Sequence, residues 1–158
     1  MPETSAPRLS LSVQYATPAP ELPRDQLRRW ATRALTAAAR EHDDIAGASL
    51  TLRIVDADEG RSLNQGYRER DYATNVLTFE YGEDADGLHH GDIVLCLPVL
   101  VREAQEQGKT LQQHAAHLTV HGVLHALGYD HIEADEAAAM EALEVRVLTA
   151  MGLPDPYA

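Results

Sequence analysis

The stretch HGVLHALGYDH, from His121 to His131, constrains this chain more than any other part of it, because it places three histidines at i, i+4 and i+10. Residues four apart on an α-helix stand one above the other on the same face, so His121 and His125 can present two nitrogens to one ion. Gly128 then ends the helix. A glycine there adopts a left-handed backbone without a Cβ clash, and the chain doubles back to bring His131 to the same ion. Three protein nitrogens leave one tetrahedral position open. That is the catalytic kind of zinc site, whereas structural zinc is enclosed by four protein ligands, usually with cysteine among them. The single cysteine, Cys96, is remote in sequence.

A lone histidine would be read as solvated or hydrogen-bonded within the core. Here a helical pair, a glycine break and a third histidine all agree on one geometry. The spacing also matches the HExxHxxGxxH motif of long-motif zinc peptidases, with one decisive difference. Gly122 stands where those enzymes carry the glutamate that acts as general base. Peptide hydrolysis would lack its usual base, so proton transfer has to come from elsewhere.

The same eleven residues resemble the signature of the YbeY-type bacterial endoribonucleases, a family of rRNA maturation factors. LNQGYRERDYATNVLTFEY from Leu63 resembles the family's central segment, and GDIVLC from Gly91 and GLPDPY from Gly152 resemble two further blocks. One departure is visible: the family often reads Asp-Val-Leu-Ser-Phe-Pro where this chain has Asn75 to Glu80, so Asn75 supplies no carboxylate. The resemblance implies a zinc-dependent, single-strand-directed endoribonuclease that matures the 3′ end of small-subunit ribosomal RNA and serves ribosome quality control. It implies one Zn2+ ion held by His121, His125 and His131. It also implies ribosomal RNA precursors and the small ribosomal subunit as partners, and admits ribosomal proteins and assembly GTPases as protein partners. Arg68 matches the arginine that the family uses catalytically. From the residues alone Arg68 reads as a surface arginine at a helix end.

Zinc can polarise a phosphoryl oxygen and lower the pKa of water to about 7, which makes a glutamate base dispensable. Phosphorus can then be attacked by water or by a ribose 2′-hydroxyl, and both routes build negative charge on phosphate oxygens. A guanidinium fork at Arg68 suits that charge. Asp130, beside His131, either orients a ligand imidazole or shapes the turn. His117, one turn before His121, is expected to approach substrate or hydrogen-bond in the core rather than ligate, and Met140 to pack in the core rather than under the metal. Two other functions share this ligand set: a metallohydrolase of another substrate such as a peptide, and a non-enzymatic ribosome assembly factor whose metal stabilises the fold.

A chain of 158 residues fits one domain, with residues 1–8 expected as a flexible tail. No run is apolar enough to span a membrane and no signal sequence opens the chain, so a cytoplasmic location without membrane contact is expected. A single cysteine forbids an internal disulfide, and Cys96 reads as a small core residue. The net charge of −12 argues at first against nucleic acid. The acidity lies in the second half, however: residues 1–82 carry net −2 and residues 83–158 carry net −10. Arg24, Arg28, Arg29, Arg33 and Arg40 stand against one acid, Asp25, at helical spacing. They form either an RNA-facing stripe or a solvated helix face with snorkelling arginines.

Hydrophobic periodicity orders the rest. Leu9 to Tyr15 alternates as a strand, and Leu27 to Ala38 makes a helix with Gly47 ending the turn beyond it. Leu50 to Ile54 is a second strand, Asp56 and Glu59 open a short helix through Tyr67, and Val76–Tyr81 and Ile93–Leu97 are two further strands. The acidic stretch Gly82 to His90 between them is expected as a mobile surface loop. Helices follow from Pro98 to Gln107, from a Thr110/Gln113 capping box to about Leu127, and from Ala134 to Met151. This order indicates an α+β domain, a mixed sheet of about four strands with about five helices and the metal site on a helix of the C-terminal half.

Overall fold

Among the described residues, four strands and five helices follow one another in the order β1 (Arg8–Tyr15), α1 (Arg24–Glu41), β2 (Gly47–Val55), α2 (Ala57–Arg68), β3 (Val76–Glu83), β4 (Leu88–Cys96), α3 (Leu97–Gln107), α4 (Leu111–Ala126) and α5 (Ala134–Ala150). The structure, a computed structural model, describes residues 6–68, 74–129 and 134–157, with the side chains of Tyr67 and Arg68 left out. Asp130, His131 and most of the expected N-terminal tail fall outside the described residues. No helix among the described residues is long and apolar enough to cross a membrane.

The strands lie in the order β1-β2-β4-β3, with β1, β2 and β4 parallel and β3 antiparallel at the edge. Helical crossovers place parallel neighbours side by side, and the short β3-β4 link makes a hairpin. Alternation divides the side chains between two faces. Leu50, Leu52 and Ile54 of β2 and Ile93 and Leu95 of β4 join the main core with α1, α4 and α5. Leu77, Phe79, Val94 and Cys96 point the other way, into a smaller cluster with Val55, Leu63 and Val99. Cys96 is buried there, and burial pushes its thiol pKa up, as befits a core residue.

The Thr110/Gln113 capping box is present in both directions, each hydrogen bond 3.0 Å long. Asp56 likewise accepts the Glu59 amide at 2.9 Å to open α2. Two sequence expectations need correction. Gly47 does not end a helical turn. The helix stops at Glu41, and Gly47 opens β2 beside β1, where a Cβ would stand 2.2 Å from the Arg8 carbonyl oxygen. The acidic stretch Gly82 to His90 is mostly strand, because Gly82 pairs with His90 and Glu83 with His89 across the hairpin. Its loop shrinks to residues 84–87, where the Asp84 carboxylate accepts the Asp86 and Leu88 amides and Gly87 takes the positive φ of the turn. Acidic side chains do not bar a strand when histidines face them: Glu83 and His89, paired across the hairpin, meet at 3.4 Å.

The site helix, α4, lies on the sheet at unusually close range. A Cβ on Gly91 would come within 3.0 Å of Ala126, and a Cβ on Gly122 within 2.8 Å of Ile93 and 3.4 Å of Thr78. Ile93 is fully buried, so the branch methyl that Gly122 faces has nowhere to move. This is the physical reason for a glycine after the first histidine: β4 fills the space a glutamate would need. Gly122→Ala should therefore lose stability. Overpacking costs about 1–3 kcal/mol and outweighs a helix-propensity gain of about 1 kcal/mol. Gly122→Glu, which adds a buried carboxylate, should lose more. Urea unfolding checks both, and a wild-type midpoint for Gly122→Glu would contradict the packing argument.

Candidate metal centre

Helix α4 brings His121 and His125 together. Their ring centroids are 4.8 Å apart, edge to face, and both side chains are partly exposed. The helix then ends as its glycine foretold: Gly128 has φ 102°, its amide donates to the His125 carbonyl, and the Tyr129 amide donates to the Leu124 carbonyl at 3.0 Å. That pair of bonds is the Schellman arrangement, which turns the chain back across the end of the helix. His131 and Asp130 lie just beyond, outside the described residues. Among the described residues no three of His, Cys, Asp and Glu form a metal-holding group, and the motif assigns the third ligand to His131. Arg68 is the last residue of α2, and its side chain is likewise not described.

Behind His121 stands a residue that the sequence reading missed. Glu144 of α5 is fully buried. Its Oε2 accepts from His121 Nδ1 at 3.1 Å, and its Oε1 accepts from His117 Nε2 at 2.7 Å and from the Tyr157 hydroxyl at 2.8 Å. Burial alone would raise this carboxyl's pKa, but hydrogen bonds from His117, His121 and Tyr157, with the charge of His121, bring it down to about 2. Glu144 is therefore ionised at neutral pH and acts purely as an acceptor. Burial and the neighbouring carboxylate push the Tyr157 hydroxyl the opposite way, far up, so it remains a donor.

This arrangement sorts the four histidines of α4. His121 has Nδ1 tied to a carboxylate, as the non-ligating nitrogen of a metal-bound imidazole usually is. His117 spends Nε2 on Glu144 and lies 3.3 Å from the Tyr157 hydroxyl, which agrees with a supporting role. His114 is buried and donates from Nε2 to Glu103 at 2.8 Å. Asn75 donates to the same Glu103 oxygen at 3.0 Å, so the residue that departs from the family pattern binds a carboxylate in place of supplying one. Met140 is buried in the main core.

A signal for Glu144 was present in the sequence. The buried positions of α5 are Met140, Leu143, Glu144, Val147 and Leu148, so the acid sits inside the apolar stripe. A carboxylate on the core face of a helix is rarely left there without partners. Tyr157, in the GLPDPY block, supplies one of those partners.

Comparison with known proteins extends over nearly the whole chain. A Bordetella petrii protein named Endoribonuclease YbeY is 67% identical over 153 residues, covering 96% of this chain and 99% of its own. Proteins of the same name from Bordetella pertussis and Thiobacillus denitrificans are 63% and 55% identical, each covering 96% of this chain and 98% of their own. In fold, the chain is similar to the solution structure of TM1509 from Thermotoga maritima, with a TM-score of 0.58 at 22% identity, covering 92% of this chain and 97% of that one. Residues 12–152 match the family described as Endoribonuclease YbeY, and the chain belongs to that family.

Proposed function

We propose that this chain is a zinc-dependent endoribonuclease acting on single-stranded regions of ribosomal RNA precursors, in maturation of the small-subunit rRNA 3′ end and in ribosome quality control. Its endoribonuclease character rests on membership of the family. The finer reading rests chiefly on one observation: a fully buried carboxylate, Glu144, holds His121 by Nδ1 while His125 stands one helical turn further on. A donor set of neutral imidazoles backed by a carboxylate suits zinc. One ion would be held by His121, His125 and His131. When bound, it supplies Lewis acidity toward a phosphoryl oxygen and lowers the pKa of water.

The chain's own residues do the rest. Glu144 fixes the ring of His121 and selects its tautomer, with His117 and Tyr157 holding the carboxylate in place. Arg68 binds the phosphate oxygens on which charge grows, its fork matching two of them at once. Gly122, packed against Ile93, leaves no room for a peptidase-type carboxylate beside the first histidine, which disfavours peptide hydrolysis. A cytoplasmic site of action, with the small ribosomal subunit, ribosomal proteins and assembly GTPases as partners, belongs to the same proposal.

Glu144→Gln tests the support of the ligand. It keeps the size of the side chain but replaces one acceptor oxygen with an NH2 group facing a donor. Zinc affinity, measured by competition with a chelator, should fall about 10- to 100-fold. Unchanged affinity would remove Glu144 from the site. For the function itself, purified protein is incubated in parallel with precursor rRNA and with an unfolded polypeptide, and product ends are mapped. Internal cuts in the RNA alone are expected. Cleavage of the polypeptide alone would favour the peptidase reading, and no cleavage of either would favour the assembly-factor reading.

A further inference from the structure

The five arginines of α1 do not form one stripe. Arg28 donates to the Leu11 carbonyl at 3.1 Å, and Arg24 reaches the Val13 carbonyl at 3.5 Å while its guanidinium lies 4.8 Å over the ring of Tyr15. These two cover the free edge of β1 and are occupied structurally. Arg33 and Arg40 face away from that edge. With Arg146 of α5 they rim a groove of about 220 Å³ between the two helices, floored by Ala37, Leu143 and Val147. Its single acid, Glu41, is tied to Arg146 at 2.6 Å, and among the described residues Arg33 and Arg40 have no acidic partner.

Resting on the endoribonuclease reading, we propose that this α1–α5 groove is a second RNA-binding site, which grips phosphates of the substrate strand away from the cleaved linkage. Charge carries the argument. A chain of net charge −12 repels a polyanion as a whole, so it needs a local concentration of positive charge to hold one. Three guanidiniums around one neutralised acid make such a place, and their planar forks match phosphate oxygens. The apolar floor suits the sugar face of a nucleotide between phosphates. The position also fits. Leu143 and Val147, which floor the groove, flank Glu144 in the buried stripe of α5, so the groove and the histidine site lie on adjoining sides of one helix. A strand of a few nucleotides is long enough to pass from one to the other.

The test compares wild type, Arg33→Ala/Arg40→Ala and Arg33→Lys/Arg40→Lys in binding a fluorescein-labelled single-stranded RNA, followed by anisotropy across a range of salt concentrations. Both residues are exposed, so folding should be retained, as circular dichroism will check. The double alanine variant should bind roughly tenfold more weakly near 0.1 M salt, and its slope of log affinity against log salt should shrink by about 1.4, the value for two lost phosphate contacts on a single strand. The lysine pair should keep the slope. Equal affinity and slope for wild type and the alanine pair, with wild type still binding and cutting RNA, would overturn the groove alone. Loss of affinity for a polyglutamate peptide but not for RNA would overturn it in favour of an acidic protein partner. Failure of wild type to bind or cut RNA at all would overturn the endoribonuclease reading and the groove with it.

Discussion

His125→Ala should give a folded protein that holds little zinc and does not cleave RNA. The substitution removes one of three proposed ligands. Zinc affinity then falls sharply, because the remaining pair of imidazoles cannot fill a tetrahedral site. The fold should survive, since the side chains that hold it together lie elsewhere: Leu27 and Leu35 of α1, Leu52, Ile54, Ile93 and Leu95 of the sheet and Leu148 of α5 are all essentially inaccessible to solvent. Zinc fingers unfold without metal because they have almost no other core; a domain with this one need not. Thermal melting and zinc content, measured on the same preparation, check the two halves of the expectation. Association with RNA should be largely retained, because it draws on arginines rather than on the histidines. A His125→Ala protein that unfolds would mean that the metal holds the fold together.

Arg68→Ala should leave zinc content and melting temperature nearly unchanged while lowering the cleavage rate about a hundredfold, the typical loss for one donor to a charge that develops in the transition state. Arg68 is the last residue of α2, so its replacement disturbs no helix interior. Arg68→Lys should rescue little, because an ammonium is a point charge without the two-pronged donor geometry. Single-turnover kinetics separates this effect from binding. Equal cleavage by wild type and Arg68→Ala would take the residue out of the mechanism.

Local rules explain why much of the molecule was legible in the sequence. The capping box at Thr110, the Asp56 cap and the glycine terminus at Gly128 are encoded within a few residues of where they act, and each formed as expected. The paired histidines of α4 and the mixed sheet with its helices are legible for the same reason, through periods of 3.6 and 2. What escaped depends on contacts distant in sequence. Glu144 meets His117 and His121 from 27 and 23 positions away, and the only local hint was an acid within an apolar stripe. The outer end of the β3-β4 hairpin was hidden because its pairing sets Glu83 against His89 and Gly82 against His90, a pattern without hydrophobic alternation. Gly47 looked like a helix stop, yet its role is set by Arg8 on a neighbouring strand. The arginines of α1 could not be divided from sequence, because their division depends on which side of α1 faces β1 and which faces α5.

Zinc dependence is read directly from cleavage of precursor rRNA by one preparation in three states: as purified, stripped with a chelator, and reconstituted with zinc, with bound metal determined in each. Cleavage should rise in proportion to bound zinc, saturate at one ion per chain, be absent from the stripped protein and be restored by zinc for wild type but not for His125→Ala. Full-rate cleavage by stripped protein whose metal content is verified as nil would contradict that dependence.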